Sequence, residues 1–188
     1  MLKHIEEAGK YVEITGFRNV VIKDTEEFVK AARKETSQNT WIQFFNAELV
    51  ATWQHLYFAV LNALLAFKNK RSISKSVSME AMLYASAQRQ IRKAIQLIGV
   101  KCESANYVVV IIGESPDSVK ALLSAVSKCI GEEPDETVLE ISEEKEQRIR
   151  EAFGITEKEL ETVMEKNNGK QALVNLVIER MALLSTQL

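Results

Sequence analysis

The residues with the clearest chemical purpose lie in the run SVSMEAMLYASAQRQIRKAIQLIG, from Ser76 to Gly99. Gln88, Arg89, Arg92, Lys93 and Gln96 gather positive charge and carboxamides there. Guanidinium, ammonium and amide groups bind anions and polar edges, and they supply no nucleophile. The residues that make and break bonds are missing as sets. Two cysteines and two histidines are scattered, without the clustering a zinc site needs. There is no Walker loop, no GxGxxG and no GxSxG elbow. The turn Gly113-Glu114-Ser115-Pro116 has one glycine and a carboxylate at its mouth, which suits a helix cap better than a phosphate cradle. Glu143, Glu144, Glu146 and Glu151 read as a solvated helix face, favourably placed near an N-terminus. The expectation is a binding protein: no enzyme, no cofactor, no metal and no small-molecule substrate.

Positioning those cations requires a helix. Met79, Met82, Leu83, Ile91, Ala94, Ile95 and Ile98 recur at spacings of three and four, which predicts one helix with these residues buried. Ser76 or Ser78 caps its start, and Gly99 suits a left-handed turn at its end. Tyr84, Gln88 and Arg92 then share one flank, and the basic ridge faces outward. Charge is polarised along the chain. The formal net charge is only −2, yet Lys68 to Lys101 holds eight Lys and Arg against Glu80 alone. From Glu132 to Glu165, 13 acidic residues face four basic ones. Such a basic face serves a phosphate-bearing partner, an acidic protein, or solvation alone.

The remaining elements follow from patterning. With 188 residues, 46% of them apolar, and only seven Gly and two Pro, one domain with a real core is expected. Residues 1–10 read as a poorly ordered lead-in, 11–150 as the core and 151–188 as C-terminal helices. Strands are expected over Tyr11 to Ile22 (broken near Gly16), Trp41 to Phe45, Tyr107 to Ile112 and Val138 to Ile141. Helices are expected from Asp24 to Lys34, from an Asn46 cap to Phe67, and from Ser115 to Gly131. Further ones run from Ser142 to Gly154, from Thr156 to about Lys166, and from Lys170 to about Thr186. Ser37-Gln38-Asn39 marks a loop, Asn167-Asn168-Gly169 a helix stop, and Lys68 to Lys75 a basic connector. His55 reads as a packed histidine. The fold class is α/β (α+β): a small mixed sheet flanked by several helices, with a helical C-terminal region. Cys102 and Cys129 lack CxxC spacing and read as free thiols of a reducing compartment. The N-terminal residues lack a signal-peptide core, and no apolar run reaches about 18 residues, so a soluble cytoplasmic protein is expected. Leu173, Val177, Met181 and Leu184 form one edge of the last helix, available either to the home core or to a partner's groove.

The runs FFNAELVATWQHLYFAVLNALLAF (44–67) and SISKSVSMEAMLYASAQRQIRKAIQLIGVK (72–101) resemble the small kinase-associated subunit of the KEOPS complex. That subunit is the archaeal counterpart of the PRPK-binding protein of animals. The resemblance rests on Asn46 to Ala51 before His55-Leu56, then on Met79-Glu80, Ala85-Ser86, Gln88, Gln90-Ile91, Ala94-Ile95 and Ile98-Gly99. Val138-Leu139-Glu140-Ile141, followed by an acidic helix, is also similar. The likeness covers about residues 11–150. Ala87 stands where relatives usually carry Gly, and its methyl narrows any close approach of a ligand to the backbone.

The resemblance implies a non-catalytic accessory subunit in the synthesis of N6-threonylcarbamoyladenosine in tRNA. Such a subunit binds the N-lobe of a kinase-like ATPase and helps hold the single-stranded CCA end. On that reading Arg71, Lys75, Arg89, Arg92 and Lys93 meet phosphates, Ser86, Gln88 and Gln90 meet base edges, and Tyr84 offers a stacking face. Leu173, Val177, Met181 and Leu184 become the edge for the kinase partner. The alternative is a regulatory protein-interaction module that touches no RNA.

Overall fold

In the computed structural model, which describes residues 1–36, 39–102, 105–164, 168–184 and 186, four strands form one sheet. They are β1 (Leu2–Ile5), β2 (Lys10–Phe17), β3 (Trp41–Asn46) and β4 (Tyr107–Gly113), in the order β1-β2-β4-β3. The apolar run of β4 is central and buried at every position. Period-two alternation sends Val108, Val110 and Ile112 to one face and Tyr107, Val109 and Ile111 to the other. Eight α-helices follow in chain order among the described residues. The first four are α1 (Thr25–Lys34), α2 (Trp53–Lys68), α3 (Val77–Ala85) and α4 (Ile91–Ile98). The others are α5 (Pro116–Ile130), α6 (Glu143–Phe153), α7 (Glu157–Val163) and α8 (Gly169–Leu184). Residues of α2, α3 and α4 complete the core on the Val110 side, and α1 and α5 complete it on the Val109 side. A third apolar cluster joins α6, α7 and α8 around Ala51.

The α/β class, the small sheet and the helical C-terminal region match expectation, as do four of the caps. Asp24, Ser115, Ser142 and Thr156 each accept a backbone N–H in the first turn of a helix. Several local readings need correction. Pairing is antiparallel throughout rather than mixed. The lead-in contains β1, paired Lys3 to Val12, with the terminal amine held by Glu13 and by the Ile14 carbonyl at 2.9 Å. Strand β2 runs unbroken through Gly16, which is glycine because a Cβ there would lie 2.5 Å from that of Val138; the strand ends at Phe17, well short of Ile22. Asn46 caps only a 3-10 turn over Ala47–Leu49, and α2 starts later, at Trp53.

Val138 to Ile141 is not a strand. Glu136–Leu139 forms a 3-10 turn whose Thr137 N–H is held by Asp135 Oδ1 at 2.9 Å. The buried Lys145 amine donates to the carbonyls of Val138 at 2.9 Å and Glu140 at 3.2 Å. Burial lowers its pKa to about 8. Helix α7 ends at Val163, and Gly169, expected within a helix stop, begins α8. The loop expected at Ser37 and Gln38, and the boundaries expected at Lys166 and Asn167, lie outside the described residues.

Candidate functional site

The helix expected from Ser76 to Gly99 is two helices. Helix α3 ends at Ala85, and its last carbonyls are satisfied by the Gln88 N–H on Leu83 at 3.0 Å and the Ala87 N–H on Tyr84 at 2.8 Å. This paired cap needs a left-handed residue, and Ala87 supplies it at φ +50°. Helix α2 ends the same way, with the Arg71 N–H on Ala66 at 2.8 Å, the Lys70 N–H on Phe67 at 3.1 Å, and Lys70 at φ +55°. Both basic segments therefore leave their helices through a left-handed residue that is not glycine.

Buried polar groups hold these segments in place. Glu80, fully buried in α3, accepts the Ile73 N–H at 3.0 Å and the Ser74 N–H at 2.7 Å. The single acid of the Lys68–Lys101 stretch is thus turned inward to fix the basic connector, so the cations keep their charge excess at the surface. His55, also fully buried, accepts the Ala51 N–H on Nδ1 at 3.2 Å. Its Nε2 therefore carries the proton and donates to the Ala85 carbonyl at 2.8 Å. Burial lowers its pKa from 6.5 to about 4, which keeps it neutral near pH 7, and the ring lies edge-on to Phe153. The packed-histidine expectation holds.

The surface set is smaller than expected. Arg71, Lys75, Arg89, Gln90, Arg92 and Lys93 are exposed and Gln88 is half-buried. Ser86 is buried, its hydroxyl spent on the Leu83 carbonyl at 3.0 Å. Tyr84 is buried too, and burial raises its phenol pKa. Neither can meet a base. The break after Ala85 also dissolves the common flank of Tyr84, Gln88 and Arg92. Arg71 and Lys75 precede α3 while Arg89 to Lys93 follow it, so the two basic groups are set apart by a helix of roughly 13 Å.

Helix α4 packs through Ala94 and Ile98. Ile91 and Ile95, expected inward, are 43% and 44% exposed. Gly99 is extended rather than left-handed, and it is glycine because a Cβ would lie 2.4 Å from the Ile95 carbonyl oxygen. Ser76 makes no cap bond, since its hydroxyl pairs with that of Ser78 at 2.9 Å.

Most arginines away from this surface are ion-paired. Arg18, Arg148, Arg150 and Arg180 each pair with a carboxylate, as does Lys10. Among the described residues, Arg71, Lys75, Arg92 and Lys93 form no ion pair. The C-terminal edge is the opposite case: Leu173, Val177 and Met181 are fully buried and Leu184 nearly so, within the chain's own core. Helix α8 packs on α2, α3, α6 and α7, so those four residues are not an edge open to a partner. Both cysteines are exposed and unbridged. Among the described residues no group of three His, Cys, Asp or Glu could hold a metal ion, and no helix is long and apolar enough to cross a membrane.

Comparison with known proteins adds two findings. The family model described as kinase binding protein CGI-121 matches residues 17–185. The regulatory protein Cgi121 of Methanocaldococcus jannaschii is 40% identical over 134 residues, covering 71% of this chain and 83% of that relative.

Proposed function

The chain belongs to the CGI-121 family of kinase-binding proteins, and we propose that it is the non-catalytic accessory subunit of a cytoplasmic KEOPS complex. In this role it binds the kinase-like ATPase and captures the 3′ end of tRNA for threonylcarbamoyladenosine synthesis. The observation that carries the RNA half is the cationic set Arg71, Lys75, Arg92 and Lys93, exposed and without an ion pair on a chain that pairs most of its other arginines. Cations left unneutralised keep their full attraction for phosphate, and each contact adds a salt-dependent increment of affinity. Arg89, Gln88 and Gln90 stand beside them with polar groups for bases.

One observation favours a second reading. With Tyr84 and Ser86 buried, the surface loses its stacking face and one edge-reading group, and bare cations serve an acidic protein equally well. Titration with whole tRNA and with tRNA lacking its CCA end, at low salt, separates the two. RNA capture predicts weaker binding of the truncated tRNA. It also predicts that Arg89→Ala/Arg92→Ala/Lys93→Ala abolishes the gel shift with an unchanged circular dichroism spectrum. An unaltered shift for the triple variant leaves only the protein-interaction module.

A further inference from the structure

Between α1, α3 and α4, over the outer edge of β3, runs a groove of about 420 Å³. Phe44, Met79, Met82 and Val100 line it, with Val29 on α1 and Ile95 on α4 as its walls. Ile95 is 44% exposed, and Ile91, one turn earlier on the same flank, is 43% exposed. We propose, resting on the kinase-binding reading above, that this groove is the docking site for the kinase partner. Its occupant is an amphipathic helix that sets aliphatic side chains against Met79 and Ile95 and presents carboxylates along the α1 side.

Three observations select that occupant. Strand β3 is an outer strand, so an incoming strand is the first alternative. That route is closed at Phe44, whose N–H is donated to Gln43 Oε1 at 3.3 Å, while Gln43 Nε2 donates to the Ser78 carbonyl at 3.3 Å. The same bonds occupy both ends of the one amide in the groove. Phe44 shows 1% of its surface, which leaves a nucleobase no stacking face. What remains is thioether and aliphatic surface, which adapts to apolar side chains spaced along a helix. Finally, Lys30 and Arg33 stand exposed on the α1 margin, outside any ion pair among the described residues, against Glu26 alone. That margin asks for acidic residues on the partner.

The test is calorimetric titration of the full-length chain with the purified kinase-like ATPase of the same organism. Ile95→Glu should weaken binding about thirtyfold or more, as a charge set on an interface anchor does. Ile95→Ala, a mild change at an exposed site, should weaken it about fivefold. Lys30→Glu/Arg33→Glu should cost about tenfold and flatten the salt dependence. Leu183→Glu, on the exposed side of α8, should change nothing. Undiminished affinity in both Ile95 variants overturns the proposal, and so does a loss confined to Leu183→Glu, which moves the docking face to α8. If Ile95→Glu loses tRNA while keeping the kinase, the groove is an RNA slot and the proposal is wrong. If the unaltered chain does not bind the kinase at all, the kinase reading itself falls, an outcome distinct from the others.

Discussion

The imidazole of His55 and the carbonyl of Ala85, 2.8 Å apart, tie the first turn of α2 to the last turn of α3. Nδ1 of the same ring accepts the Ala51 N–H, and this second bond exists only while the imidazole is neutral. The backbone that aims Gln88 to Lys93 outward is thereby braced from inside by one titratable ring.

A pH dependence follows. Folding lowers the His55 pKa from 6.5 to about 4, chiefly through burial. The folded state therefore binds fewer protons than the unfolded state between these values. The contribution is fully present above about pH 6.5 and is lost as pH falls towards 4, amounting to on the order of 3 kcal/mol. Urea denaturation at pH 7.5, 6 and 5 should show stability dropping with acidity, and His55→Gln should remove that slope. The variant should itself be less stable at pH 7.5 by about 1–3 kcal/mol, the cost of unsatisfied buried groups.

Glu80 offers a second measurement. Its buried carboxylate accepts from two backbone donors, Ile73 and Ser74. Glu80→Gln keeps the shape but turns an NH2 towards one of them, which should cost about 1–3 kcal/mol. Release of the connector should also expose Arg71 and Lys75 to trypsin. Limited digestion should cut the variant there faster than the unaltered chain, by more than global destabilisation accounts for.

The salt response of RNA binding reports directly on Arg92 and Lys93. Single-stranded phosphate contacts contribute about 0.7 each to the slope of log affinity against log salt. Arg92→Ala/Lys93→Ala should reduce the slope by about 1.4 in gel shifts between 50 and 200 mM salt, roughly the range where such losses are readily measured. A slope unchanged while affinity falls would mean that the two residues act on RNA other than through its phosphates.

What could be read from the sequence was local. Ser115 and Pro116 announce α5, and Thr156 and Glu159 announce α7, because capping chemistry lies within four residues. The apolar run of β4 announces a central strand. Most of the errors have non-local causes. Nothing in Leu2 to Ile5 says that it will pair with β2. Val138 and Leu139 look like a strand, yet a lysine from the next helix and an aspartate cap bend them into a 3-10 turn. The apolar excess of α8 reads as an interface until α6 and α7 are seen to cover it, for a helix greasy all round is a buried helix. The break between α3 and α4 was illegible for a different reason. Apolar spacing continues across the gap, and the glycine that usually marks such a stop is replaced by Ala87.

That replacement makes a final prediction. An L-residue in the left-handed region costs roughly 1–2 kcal/mol relative to the right-handed one, a strain glycine escapes. Lys70 and Ala87 occupy the same position of equivalent caps, at φ +55° and +50°. Lys70 is exposed, whereas Ala87 is half-buried against the α6–α8 cluster. Lys70→Gly should therefore stabilise the chain by about 1 kcal/mol, relief of strain outweighing the entropy glycine adds to the unfolded state. Ala87→Gly should gain less, because one packed methyl is lost, at about 0.8 kcal/mol when fully buried. Urea midpoints of the two variants measure both quantities. A larger gain at Ala87 than at Lys70 would show that the methyl is strained against its neighbours instead of packed.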